Sequence, residues 1–498
     1  MPIFVSFTAA KPQTSTNGYY TSLALDGAGL PHISYLDFVN ENLKYSDWDA
    51  SGWHIQPVDR GAGVGSGTSL ALDGGGYPHI SYYDGTNGDL KYAYQDASGW
   101  HFQIVDNEGF VGRYPSLALD GGGYPHISYY DSSNTNLKYA YQDASGWHTQ
   151  TAASSSRDVG SFTSLALDGG GYPHISYYDS SSHYLKYAYQ DASGWHIQTV
   201  GSKLDAGWYT SLALDGNGYP HISYFDNGND DLYYAYQDAS GWHTQIVDSA
   251  GYVGKYTSLA LDGGGYPHIS YYDESNADLK YAYQDASGWN FQMVDSAGSV
   301  GMYTSLRLDS GYPHISYYDE TNADLKYAYQ DASGWHFQTV DSEGSVGMYT
   351  SLALDGGGYP HISYYDDANH DLKYAAYVEL PEPVAGFTAS PTSGFAPLTV
   401  VFTNSSTGYF TTGLWSFGDG LTSTLKNPSH SYEAAGAYSV TLTVGGSAGT
   451  DTLTRTNYVN VDEPVKANFT ASPRFGPPPL AVTFTDTSSG PVAAWEWA

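Results

Sequence analysis

A chain of 498 residues is too long for one ordinary domain, yet its 41% hydrophobic and 16% aromatic content is enough for a packed core and excludes a disordered chain. Its 52 acidic residues stand against 18 basic ones, a net charge of -34 that repels phosphate backbones and excludes nucleic acid as a partner. With no cysteine there are no disulfides, thiolate chemistry or cysteine metal sites, and no apolar run approaches the ~18 residues of a membrane span.

The opening MPIFVSFTAA lacks the basic and apolar regions of a signal peptide, and Ile3 to Thr8 reads as a short strand followed by a polar connector. A repeat then begins at Tyr19 or Tyr20. The tetrapeptide Pro-His-Ile-Ser marks each copy, with histidines 32, 79, 126, 174, 221, 268, 314 and 361 at intervals of 47, 47, 48, 47, 47, 46 and 47 residues. So regular a period means one supersecondary unit stacked on itself. In the sixth copy four strand-like runs stand out: YTSLALD (256–262), PHISYYD (267–273), DLKYAYQ (278–284) and GWNFQMVD (288–295). Each is rich in Tyr, Ile, Leu, Val or Trp and is bounded by Gly, Asp, Asn or Ser, and no helical period appears. Four antiparallel strands in about 47 residues is the arithmetic of a β-propeller blade.

The first three runs occur eight times, but the Gly-Trp run only seven, at tryptophans 53, 100, 147, 195, 242, 289 and 335. The last copy passes from LKYAAYVEL straight into PEPV. Residues 3–8, supplied as the missing outer strand, would close a ring of eight blades without an open edge. A seven-blade ring with a loose end, or a strand lent to a neighbouring subunit, are the alternatives.

After Pro381-Glu-Pro383 the composition changes. Residues Phe387-Thr-Ala-Ser-Pro391, Trp415-Ser-Phe-Gly-Asp-Gly420, Asn427-Pro428, His430, Tyr432 and Ala435-Gly-Ala-Tyr438 resemble a PKD domain, an immunoglobulin-like sandwich. A second copy starts at Ala467-Asn-Phe-Thr-Ala-Ser-Pro473 and breaks off at Trp495-Glu-Trp-Ala498, so further PKD modules are expected beyond it. The fold expected is therefore all-β: an eight-bladed propeller over 1–380, a PKD sandwich over 381–463 and the first part of another over 464–498. The whole resembles archaeal and bacterial cell-surface proteins in which a propeller head sits on a PKD stalk. Two glycosylation-type triplets, Asn404-Ser-Ser406 and Asn468-Phe-Thr470, fit an extracellular setting.

An enzyme on a propeller needs different groups from different blades near the axis, whereas this chain repeats the same side chains eight times. No Ser-His-Asp set, HExxH motif or phosphate loop is read from it. The eight Pro-His-Ile-Ser histidines read as packing residues, and the tyrosine pairs, such as Tyr271-Tyr272 and Tyr281/Tyr283, as an inter-blade aromatic core. Asp26, Asp73, Asp120, Asp168, Asp215, Asp262, Asp309 and Asp355 end the first strand of each copy. They form either a calcium-binding acidic ring or eight separate caps on the glycine turns that follow.

The copies also differ in an orderly way. The turns DGGGYPH and YQDASGW hardly change, while the loop after YYD and the loop after the Gly-Trp strand vary. In an up-and-down blade, alternate turns share a face, so one face is constant and the other varied. A selective partner is expected on the varied face, around Arg113, Arg157, His183, Tyr184, Lys203, Trp208, Tyr252 and Lys255. The function expected is a non-enzymatic extracellular or cell-surface structural or adhesive protein, assembling with itself or other surface proteins into a layer or filament. A multivalent carbohydrate-binding propeller is the alternative, and a glycan-cleaving enzyme the third. No cofactor is expected beyond calcium.

Overall fold

The structure is a computed structural model, described for residues 18–37, 40–61, 63–155, 158–201, 205–377, 381–446, 449–490 and 492–498. Up to residue 377 the described residues form seven four-stranded antiparallel sheets and then one three-stranded sheet, each in simple sequence order. They are blades 1 to 8, spanning 18–59, 64–106, 111–153, 159–199, 206–248, 253–295, 300–341 and 346–376. Blade 6 consists of Val253–Leu261, Pro267–Asp273, Asp278–Asp285 and Gly288–Asp295. Its last three strands fall where sequence alone puts them.

The first strand does not. It starts at Val253, three residues earlier than expected, because Val253 is fully buried and Gly254 presses on the previous blade. A Cβ on Gly254 would lie 2.9 Å from the Cα of Leu232, and its φ of +109° suits glycine. Arg113, Trp208 and Lys255 therefore sit on first strands and not in loops as expected.

First strands of successive blades contact one another in a closed cycle, including that of blade 8 with that of blade 1, so they surround the axis. Side chains stitch them together: the Ser211 hydroxyl of blade 5 accepts the Leu259 amide of blade 6 at 3.2 Å, and Thr257 donates to Ser223 at 2.8 Å. The same contacts close the ring. Thr21 of blade 1 meets Ser363 of blade 8 at 2.9 Å, and Trp53 packs edge-on against Tyr374 with centroids 5.0 Å apart. Leu23, Ile33 and Tyr35 share a core with Leu372 and Tyr374.

Between blades lies the aromatic core read from the sequence. Tyr281 and Tyr271 are buried, and Trp335 of blade 7 stands edge-on to Tyr281 at 5.5 Å. The tryptophan Nε1 donates to a glutamine of the preceding blade, as in Trp335 to Gln292 at 2.6 Å. Among the described residues blade 8 has no fourth strand, and the two ends of this series are left over: Gln338 Oε1 and Trp53 Nε1 are buried with no partner among those same residues. Residues 3–8, expected to complete blade 8, lie outside the described residues.

Five interfaces carry a buried Asp–Tyr–Lys cluster. In one, Tyr129 donates to Asp106 Oδ2 at 2.7 Å and Lys138 pairs with the same oxygen. Asp59/Tyr82/Lys91, Asp248/Tyr271/Lys280, Asp295/Tyr317/Lys326 and Asp341/Tyr364/Lys373 repeat it.

The second unit is a two-layer sandwich. Phe387–Ser390, Leu398–Asn404 and Ser429–Tyr432 form one sheet. Ser393–Phe395, Gly449–Asp462, Gly436–Gly446, Thr412–Ser416 and Thr422–Ser423 form the other. Alternation along Gly436–Gly446 turns Val440, Leu442 and Val444 inward onto Trp415, Phe402 and Tyr432. Beyond it, Phe469–Ser472 pairs with Thr483–Asp486. No helix among the described residues is long and apolar enough to cross a membrane.

Candidate functional site

The first strands carry an irregularity that the repeat pattern hides. Ladder pairing slips between Lys255 and Ser258, and the residue in the slip, Tyr256, has φ +55°. The same left-handed backbone recurs at Tyr114, Phe162, Tyr209, Tyr303 and Tyr349, with φ between 51° and 55°. A bulky residue in this region costs of order 1–3 kcal/mol, and such strain collects at functional sites.

These six side chains follow one another around the axis. Ring centroids are 6.0 Å apart from Tyr114 to Phe162, then 5.6, 5.1, 4.8 and 4.7 Å through Tyr209, Tyr256, Tyr303 and Tyr349. All are at least partly exposed. They sit near the start of each first strand, at the end next to the varied loops. The arc is an aromatic collar with phenol hydroxyls, apolar faces for stacking beside groups that donate and accept hydrogen bonds. Burial and neighbouring phenols push Tyr303 above the usual phenol range, and burial raises Tyr256 to about 12, so both are neutral donors at pH 7.

The collar breaks at blade 2, where Gly67 stands in the aromatic position. A cavity of about 240 Å³ opens there, lined by Ser66, Gly67, Tyr83, Arg113 and Tyr114.

The residues singled out from the sequence fall into three groups. Arg113 is at this cavity, its guanidinium 5.7 Å from the Tyr83 ring centroid. Trp208 packs on Phe162 at 5.6 Å and Tyr178 at 5.9 Å, beside the collar. Lys255 is neutralised by Glu274 at 2.7 Å and covers the Tyr252 ring at 4.6 Å. His183 and Tyr184 are further out, His183 Nδ1 meeting the Tyr178 hydroxyl at 3.0 Å. Arg157 and Lys203 lie outside the described residues.

The eight aspartates sit at the constant face. Asp73 Oδ1 accepts the amides of Gly75 and Tyr77 at 2.8 and 2.9 Å, capping its turn, and Oδ2 is 3.7 Å from His79 Nε2. Asp26, Asp120, Asp168, Asp215, Asp262 and Asp355 cap likewise, and Asp309, in a turn one glycine shorter, accepts from Ser310. Among the described residues, no group of three or more His, Cys, Asp or Glu is gathered as a metal site. Each His of Pro-His-Ile-Ser meets a tyrosine hydroxyl through Nδ1, as His79 does Tyr92, and in all but His221 and His314 the Nε2 lies within 4 Å of this carboxylate.

Ser, His and Asp do come together, contrary to the reading that no such set exists. In the turn Asp96-Ala-Ser98, Ser98 Oγ donates to Asp96 Oδ1 at 2.6 Å and lies 3.0 Å from His101 Nε2, which is itself 3.0 Å from the same carboxylate oxygen. Blades 1, 3, 4, 5 and 7 repeat it. One imidazole nitrogen faces both partners, so the set locks an exposed hairpin and does not form a relay through the ring. It was legible as the spacing D-x-S-x-x-H. The collar was legible too, as the aromatic before Thr-Ser-Leu or Pro-Ser-Leu.

Comparison with known proteins bears on both units. Residues 378–461 match the PKD domain family. The chain carries a PKD domain. The same stretch is similar to the PKD1 domain of the Vibrio cholerae metalloprotease PrtV, with 41% identity over 16% of this chain and 98% of that one, at a TM-score of 0.14. The propeller is similar to the Dos1 propeller (10% identity, 75% of this chain, 95% of that chain, TM-score 0.47). It is also similar to the polysaccharide lyase Uly1 (12% identity, 61% of this chain, 88% of that chain, TM-score 0.41). No curated protein sequence matches. The expectation that this chain is not an enzyme does not stand, because a polysaccharide lyase is among the structures it resembles; at 12% identity that likeness is one of fold and gives this chain no activity. The physical ground for that expectation also weakens, because the described blades are not alike at the axis: Gly67 stands where blades 3 to 8 hold an aromatic.

Proposed function

We propose that the chain is an extracellular glycan-binding protein whose propeller takes sugar rings at the axial mouth of the varied face. One observation carries this reading: six successive blades hold an aromatic side chain there in strained left-handed backbone. Sugars present flat C–H faces edged with hydroxyls, and a collar of phenol rings offers both stacking area and hydrogen bonds. The PKD domain, a module typical of extracellular proteins, supports the setting. Adhesion to glycan-bearing surfaces follows from such a head.

Calorimetric titration with neutral and acidic oligosaccharides tests it, with fresh reducing ends followed in the same samples so that binding and turnover are separated. Tyr256→Gly is expected to weaken binding about tenfold, roughly 1.4 kcal/mol. Its fold should stay within about 1 kcal/mol of the parent, because glycine accepts a positive φ without strain. Gly67 already holds the equivalent place in blade 2 at φ +61°. Absence of binding to every glycan would remove the proposal.

A further inference from the structure

The interface between blades 2 and 3 departs from the other blades at four neighbouring positions. Gly67 replaces the aromatic, Pro115 replaces the threonine that follows it, Arg113 stands where other blades have Tyr, Ser, Trp, Lys or Met, and Phe110 stands where blades 4 to 8 have Asp, Tyr or Ser. These changes are linked. A Cβ on Gly67 would lie 3.2 Å from Pro115 Cδ, so the proline itself crowds the site of the missing ring.

The departures cost stability. Elsewhere the threonine hydroxyl pairs with a serine of the preceding blade, as Thr257 does with Ser223. With proline there, Ser81 Oγ is buried without a partner among the described residues. Such an orphan costs about 1–3 kcal/mol. In blades 3, 4 and 6 the tyrosine equivalent to Tyr83 bonds a side chain of the following loop: Tyr130 to Asp158 at 2.7 Å, Tyr178 to Asp205 at 2.5 Å, Tyr272 to Ser299 at 3.2 Å. Phe110 offers no such group, and the Tyr83 hydroxyl makes no hydrogen bond to the described residues.

The charge at this gap is also distinctive. All eight described lysines of the propeller are ion-paired: 44, 91, 138, 186, 255, 280, 326 and 373. Arg113 is exposed and, like Arg60 and Arg307, has no carboxylate partner among the described residues, but of the three it alone lines the cavity. In a chain of net charge -34, what sets Arg113 apart is an unpaired guanidinium placed at the wall of a cavity. Its planar fork fits a carboxylate or sulfate bidentately. Repulsion from distant carboxylates is screened beyond about 8 Å at physiological salt, which leaves Arg113 to set the local preference.

We infer that the gap at Gly67 is the subsite for an anionic sugar residue, its ring against Tyr114 and its carboxylate or sulfate on Arg113, with the Tyr83 hydroxyl as a further donor. This rests on the glycan-binding reading and gives it a substrate class. It also supplies what eightfold repetition lacks, a single place where a chain of sugars would be held in register.

The test uses the whole chain and matched probes: oligogalacturonate against its methyl ester, and a sulfated galactan oligomer against its desulfated form. The parent protein is expected to bind at least one anionic form ten times or more tightly than its neutral partner. Which pair shows the difference distinguishes carboxylate from sulfate. In Arg113→Gln that ratio should fall to about one. The double variant Gly67→Tyr/Pro115→Thr, which restores the arrangement of blade 6, should remove it too. Equal binding of anionic and neutral forms by the parent overturns the inference and leaves the glycan reading standing. A ratio kept in Arg113→Gln overturns it as well, and no binding of any probe overturns both.

Discussion

Acidification from pH 7 to pH 4 is expected to destabilise the propeller steeply, well before its carboxylates titrate. Eight imidazoles, those of His32, His79, His126, His174, His221, His268, His314 and His361, have pKa values lowered from the ordinary 6.5, with burial as the largest cause. The facing aspartates, such as Asp73 at 3.7 Å from His79, oppose this and are outweighed. A base with a lowered folded pKa takes its proton more readily in the unfolded chain, so stability falls with pH below 6.5 until the folded group also protonates. For His314, pushed down to about 4, the loss between pH 7 and pH 4 is about 3 kcal/mol from that residue alone. The other seven add in the same direction.

The carboxylates act later and in both senses. Asp106, Asp248 and Asp295 are held below the usual value despite their burial, because lysine and tyrosine hydrogen bonds outweigh it, and they lose their stabilising charge only below pH 3.8. Burial raises Asp89, Asp278 and Asp324, which offset a little of the histidine effect near their own titration. Scanning calorimetry of the whole chain at pH 7.5, 6, 5 and 4 reads the result. His314→Gln should be less stable at pH 7.5 but show a shallower pH slope. A propeller transition at one temperature from pH 7.5 to 4.5 would contradict the argument.

What could be read from the residues follows from how each signal is encoded. Strand count, blade number and the PKD sandwich were legible because Pro, Gly and Asp bound every run and alternate residues are apolar. The missing fourth strand of blade 8 was legible as an absent Gly-Trp, and Gln338 and Trp53 mark its place physically. The start of the first strand was not. Val253 and Gly254 look like the end of a variable loop, and only their burial against Leu232 makes them strand. The collar was legible as a repeated position, the aromatic before Thr-Ser-Leu, but not as an exposed one. A tyrosine in a β-rich repeat reads as core, and nothing in Tyr256 itself announces a φ of +55°. The exception among the copies, GSGTSL in blade 2 beside GRYPSL in blade 3, was the visible clue. It needed the structure to show that one glycine, one proline and one arginine meet at a single gap.

Replacing Asp106 by alanine should cost about 3–5 kcal/mol of propeller stability, the range for a buried ion pair robbed of one partner. The side chain it deserts, Lys138, is 7% exposed, and the Tyr129 hydroxyl loses its acceptor in the same step. The chain contains its own controls. At the interface of blades 3 and 4 the aspartate position is Ala153, and Lys186 keeps only its own blade's Asp179, at 3.9 Å, and adds Thr199 at 2.8 Å. At the next interface both charges are gone: Gly201 replaces the aspartate and Tyr233 the lysine, stacking on Tyr224 at 5.5 Å. Charge is thus lost from both partners together, or the lysine keeps the aspartate of its own blade, as Lys91 and Lys373 also do, and gains a hydroxyl acceptor. The double variant Asp106→Gly/Lys138→Tyr, which copies the second solution, is therefore expected within about 1 kcal/mol of the parent, because no buried charge is left unpaired. Denaturant unfolding of the two variants beside the parent decides it. If the double variant is as unstable as Asp106→Ala, the loss comes from packing at position 106 and not from the abandoned lysine.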